Sequence, residues 1–90
     1  MFYVEVHALA PPTVEDAGGA YISCWVDAAN EVDAEVTALQ AIEGEGWTPE
    51  EVTDIRRVER AEYLETESLE HFDSALEDGA CFVFHAYPPE

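Results

Sequence analysis

Phe2-Tyr3-Val4-Glu5-Val6-His7-Ala8-Leu9 opens the chain, and the reading of this stretch decides the fold. Side chains alternate in character with a period of two, and β-branched and aromatic residues predominate, which marks a strand. Phe2, Val4, Val6 and Ala8 fall on one face of it. Tyr3, Glu5, His7 and Leu9 fall on the other. Pro11-Pro12 ends the strand, and the polar stretch to Gly18-Gly19 reads as a loop. Tyr21-Ile22-Ser23-Cys24-Trp25-Val26-Asp27 reads as a second strand, able to pair with the first as a long-looped hairpin.

Asn30 is placed to cap a helix, with Glu31 and Asp33 in its first turn, where negative charge suits the helix dipole. Val32, Val36, Leu39 and Ile42 recur near helical spacing, supported by Ala28 and Ala38. Gly44 and Gly46 stop the helix. A third strand is expected from about Val52 to Glu59. Its pattern is irregular, because Ile55 and Val58 have opposite parities, which points to a bulge or to an edge position. Thr66 or Ser68 is the expected cap of a second helix, with Leu69, Phe72 and Leu76 as its apolar stripe and Gly79 as its end. Ala80 to Tyr87 is the most apolar strand, expected in the middle of the sheet, and Pro88-Pro89 closes it.

The element order is thus β-β-α-β-α-β in one α+β domain over residues 1–90. The economical packing is a two-layer sandwich: about four strands with both helices on one sheet face, ferredoxin-like in architecture.

Charge is the outlier of the composition. Twenty-one carboxylates face three cations, Arg56, Arg57 and Arg60, for a formal net charge of −18 in 90 residues. Such a surface repels phosphate backbones and anionic lipid, so neither nucleic acid nor membrane is an expected partner. It suits a saline, halophilic habitat, or a basic protein partner, or divalent cations. No stretch has the basic region and apolar run of a signal peptide, and the expected location is cytoplasmic. No Gly-rich phosphate loop, EF-hand or zinc-finger spacing is present, and no cofactor is expected.

Parity sorts the sheet into two faces. Phe2, Val4, Val6, Ala8, Ile22, Cys24, Val26, Phe82, Phe84 and Ala86 form an almost wholly apolar face that both helices should cover. The opposite face collects Tyr3, Glu5, His7, Tyr21, Ser23, Trp25, Cys81, Val83, His85 and Tyr87. Either another element such as the Pro11–Gly19 loop covers a surface with that many rings, or it is a contact site. The leading expectation is therefore a non-enzymatic protein that self-associates as a homodimer and acts through protein–protein contact at Tyr3, Glu5, His7, Tyr21, Trp25, His85 and Tyr87. The first alternative is a small-molecule-binding or sensing domain using that same face or the Arg56, Arg57 and Arg60 cluster, since guanidinium groups grip anions. A weaker one is a metal site at Glu5, His7 and His85, which requires the first and last strands to be neighbours.

Cys24 and Cys81 fall on opposite faces, so no disulfide is expected between them. Cys81 and His85 are separated by about 13 Å of strand rise, too far for a dyad. His71 and Asp73 are placed on a polar helix surface with no role.

Overall fold

A computed structural model describes residues 1–89. Four strands form one sheet in the order β3-β1-β2-β4: β1 is Phe2–Leu9, β2 Gly19–Val26, β3 Thr48–Arg57 and β4 Ala80–Tyr87. Every neighbouring pair is antiparallel. Helix α1 spans Glu31–Gly44 and helix α2 Leu69–Asp78, with a short 3-10 turn at Arg60–Tyr63 between β3 and α2. The protein is an α+β sandwich in the expected order β-β-α-β-α-β, with the four strands and two helices of a ferredoxin-like layout.

β1 and β2 form the long-looped hairpin, and Phe2 pairs with Val26 and Leu9 with Gly19. β3 shows both causes of an irregular pattern. It is an edge strand, and its register against β1 slips at Glu5/Val6 and again at His7/Ala8. The slips bring Val52 opposite Val6 and Ile55 opposite Val4, so both reach the same apolar cluster despite opposite parity.

Helix α1 begins as the sequence predicts: the Asp33 amide donates to Asn30 Oδ1 at 2.9 Å. Its sheet-facing stripe differs from the expected one. Ala34, Ala38 and Ile42 are buried, whereas Val32 and Val36 are exposed. The β-layer beneath already holds Phe2, Val4, Val6, Ile22 and Val26, and small side chains let the helix axis approach that filled surface. Leu39 packs at the margin of the cluster.

Two expectations are corrected at the level of layers. The helices do not share a face. Ala34, Ala38 and Ile42 of α1 pack on the even-numbered residues of β1 and β2, while Phe72 and Ala75 of α2 pack with Trp25, Tyr3, Cys81 and Val83 on the odd-numbered side. The chain must travel from the edge strand β3 to the opposite edge at β4. With α1 occupying one face, α2 crosses the other, where it buries Trp25. The second correction concerns β4, which lies at an edge and not in the centre. Its apolar residues are explained by packing on both layers: Cys81 and Val83 meet α2, while Phe82 joins the cluster under α1.

Candidate functional site

The odd-numbered face divides into a covered end and an open end. At the covered end, Trp25 is 5% exposed. His71 of α2 stacks on it with ring centroids 5.2 Å apart, and Tyr3 and Tyr63 meet it edge-on at 5.3 and 6.3 Å. Beside these rings lies a cavity of about 330 Å³ whose walls include Tyr3, Ser23, Trp25, Tyr63, His71 and His85, with Arg56 also on its lining. The Arg56 guanidinium sits 5.3 Å from the centroid of the Tyr3 ring, a cation–π contact. Its ion pair with Asp54, at 3.5 Å, is exposed on both sides.

Hydrogen bonding ties down part of this wall. The Tyr3 and Ser23 hydroxyls are bonded at 3.0 Å. Burial raises the Tyr3 phenol above its ordinary pKa, the Ser23 bond opposes that shift, and the nearby Glu5 carboxylate adds to it. The indole Nε1–H of Trp25 is different: it is buried and bonded to nothing. A buried donor left unpaired costs on the order of 1–3 kcal/mol.

At the open end, His7 Nε2 and the Tyr87 hydroxyl are 2.6 Å apart. Tyr21 stacks on His7 with centroids 4.9 Å apart and remains about half exposed. Gly19 is required here by close approach. A Cβ at that position would meet the Tyr87 hydroxyl and stand 2.6 Å from the Ala8 carbonyl oxygen.

The structure disperses two of the expected constellations. β2 lies between β1 and β4, so His7 and His85 flank Tyr21 and are not neighbours. Glu5 accepts from Thr53 Oγ1 at 2.8 Å and from the Tyr3 hydroxyl at 3.2 Å, and so is engaged elsewhere. The trio Glu5, His7 and His85 therefore forms no metal site, and no group of three potential ligands occurs among the described residues. The arginines separate as well. Arg57 lies over the Phe2 ring on the far face, and Arg60 bonds both Asp73 carboxylate oxygens, at 2.8 and 3.1 Å. That pairing raises the Arg60 pKa and lowers that of Asp73. Arg56 alone of the three lines the cavity.

His71 and Tyr63 are the site residues that sequence reasoning missed. Ser68, His71, Phe72 and Ala75 share one helical face, which was a usable signal once the ring-rich sheet face was known to need a cover. His71 also brings its Nδ1 within 3.8 Å of the Cys81 sulfur. The pair has the composition of a thiol–imidazole dyad without its electrostatics. Burial raises the Cys81 pKa, and Asp78 and Glu70 raise it further, so the thiol keeps its proton at neutral pH. Cys24 is buried beneath the other face, where its thiol donates to the Ile22 carbonyl oxygen at 3.7 Å. Both cysteines are free.

Comparison with protein-family models, with curated proteins and with solved structures finds no match to this chain.

Proposed function

We propose that this protein is a binding module for a small planar molecule bearing hydrogen-bond acceptors, held in the cavity between α2 and the sheet. The observation that carries the reading is a cavity walled by the Tyr3, Trp25, Tyr63 and His71 rings, with the Arg56 guanidinium on its lining. Rings supply flat contact surface at low entropic cost. Arg56, Ser23 and the neighbouring imidazoles supply the polar contacts that orient a ligand. The net charge of −18 disfavours a multiply charged anion, so the favoured occupant is uncharged or carries one negative charge facing Arg56. Binding is favoured over catalysis because the one thiol beside an imidazole is held in its protonated form.

A thermal-shift screen of planar heteroaromatic amides and monocarboxylates tests the reading, with intrinsic fluorescence in a Trp47→Phe background reporting on Trp25. A hit should raise the melting temperature and perturb Trp25 emission. Arg56→Gln should weaken it about tenfold, the loss of one charge-assisted contact. The same substitution should leave unliganded stability nearly unchanged, because the Asp54 pair it breaks is solvent-exposed. Hits that bind without moving Trp25 emission, or a screen with none, would count against the cavity.

The open end supports a second reading, contact with another protein. Its stacked His7, Tyr21 and Tyr87 rings include the half-exposed Tyr21. Tyr21→Ser would abolish such a contact and leave ligand hits untouched.

A further inference from the structure

The two edges of the sheet are built in opposite ways. β3 carries Glu50, Glu51, Asp54, Arg56 and Arg57, contains Pro49, and is broken by two register shifts. Charge, proline and bulges are the devices that keep an edge from accepting another strand. β4, Ala80-Cys81-Phe82-Val83-Phe84-His85-Ala86-Tyr87, has none of them. It holds no carboxylate, lysine or arginine in a chain where charged residues make up 27% of the whole, and its pairing with β2 runs without a slip.

The phase of its hydrogen bonds follows from that register. The Asp27 amide donates to the Gly79 carbonyl at 2.9 Å, so the amides and carbonyls of Cys81, Val83 and His85 point at β2. Those of Ala80, Phe82, Phe84 and Ala86 point outward, and β4 pairs with no further strand among the described residues. Helix α1 packs over β3, β1 and β2 and stops short of β4. Phe84 is 38% exposed with the Trp47 ring beside it, and a groove of about 150 Å³ opens between Phe82 and Phe84 on one side and Ala41, Ile42 and the single carboxylate Glu45 on the other.

We propose that the outward edge of β4 pairs antiparallel with β4 of a second copy about a two-fold axis, joining two four-stranded sheets into one. Charge selects this occupant. Two chains of net charge −18 repel wherever their carboxylates meet, so copies can approach only through a neutral surface. A basic partner, by contrast, gains most on the acidic faces and least at the uncharged strand. The row of free amides and carbonyls requires an extended backbone as its complement, and an antiparallel strand about a two-fold axis is complementary to itself. Helix α2 packs on Cys81 and Val83 of β4 on the odd-numbered face, which leaves the outward amides and carbonyls of the strand uncovered. This proposal is independent of the ligand reading.

Sedimentation equilibrium from low micromolar to millimolar protein tests it. The mass should double across that range, and the dissociation constant should fall as salt rises from about 0.1 to about 1 M, because screening removes repulsion between copies. Phe84→Glu and Ala86→Pro should each weaken association about tenfold or more, by placing like charges near one another and by deleting an outward amide. Val32→Glu, which adds the same charge on the exposed face of α1, should not. Hydrogen exchange on the unaltered chain provides a readout free of folding defects: the Phe82 and Phe84 amides should slow as concentration rises. A strict monomer, a dimer indifferent to both edge substitutions, or outward amides protected only by an added foreign peptide would each overturn the proposal.

Discussion

Cys24 sits under α1 with its thiol bonded to a backbone carbonyl, and burial pushes its pKa up to about 12, with the Cys81 thiol adding a smaller push. In the unfolded chain the same thiol ionises near the ordinary value of 9.0. Between those two values the unfolded chain gives up the proton that the folded chain keeps. Stability therefore does not change through this group below about pH 9 and falls as pH rises through the window toward 12. Urea titrations across that range should show a slope from Cys24 of at most about 1.4 kcal/mol per pH unit. Cys24→Ala should flatten the slope by up to that amount, whatever constant offset its lost packing introduces. An unaltered slope would show that the thiol does not stay protonated in the fold. Tyr3 and Cys81 are shifted in the same direction, so part of the alkaline dependence should survive the substitution.

At the scale of elements, α1 shows how a helix pattern can be right in period and only partly right in phase. The expected stripe, Val32, Val36, Leu39 and Ile42 with Ala38 in support, shares Ala38 and Ile42 with the buried one, Ala34, Ala38 and Ile42. Side-chain size favoured the first set, but a densely filled sheet surface selected the second. Ala38→Leu should cost about 1–3 kcal/mol by overpacking against that surface. Val32→Ala, on the exposed side, should stay within about 0.5 kcal/mol. Chemical denaturation of the pair checks the placement, and equal effects would contradict it. β4 teaches a parallel lesson. A run of apolar residues predicts a central strand because central strands are covered on both faces. The same composition arises at this edge because α2 and the α1 cluster each take one side of it.

For the whole molecule the governing quantity is the charge of −18. Among the described residues two ion pairs form, Arg56–Asp54 and Arg60–Asp73, and both are exposed, so most carboxylates have no cation beside them. Mutual repulsion opposes the compact state and is screened by salt. The melting temperature should therefore rise between about 0.01 and 1 M salt. A flat response would mean that the carboxylates are spaced widely enough not to interact. Separation of this effect from the proposed self-association requires a dilute sample.

Period-two alternation and the breaks at Pro11, Gly18 and Gly79 mark β1, β2 and β4, the hairpin and the sorting of side chains onto two faces, and Asn30 marks the start of α1, whereas β3 begins at Thr48, ahead of the expected Val52, and takes in Pro49. Those features are local: they depend on backbone sterics and on neighbours within a few residues. The cavity at Trp25, the exposure of Phe84 and the scattering of Glu5, His7 and His85 were not legible, because each depends on which strands are neighbours and which face a helix crosses. Residues far apart in the chain decide that by competing to bury apolar surface. Once α1 had taken one face of the sheet, the path from β3 to β4 left the other face to α2. No local signal in Leu69–Asp78 records that choice.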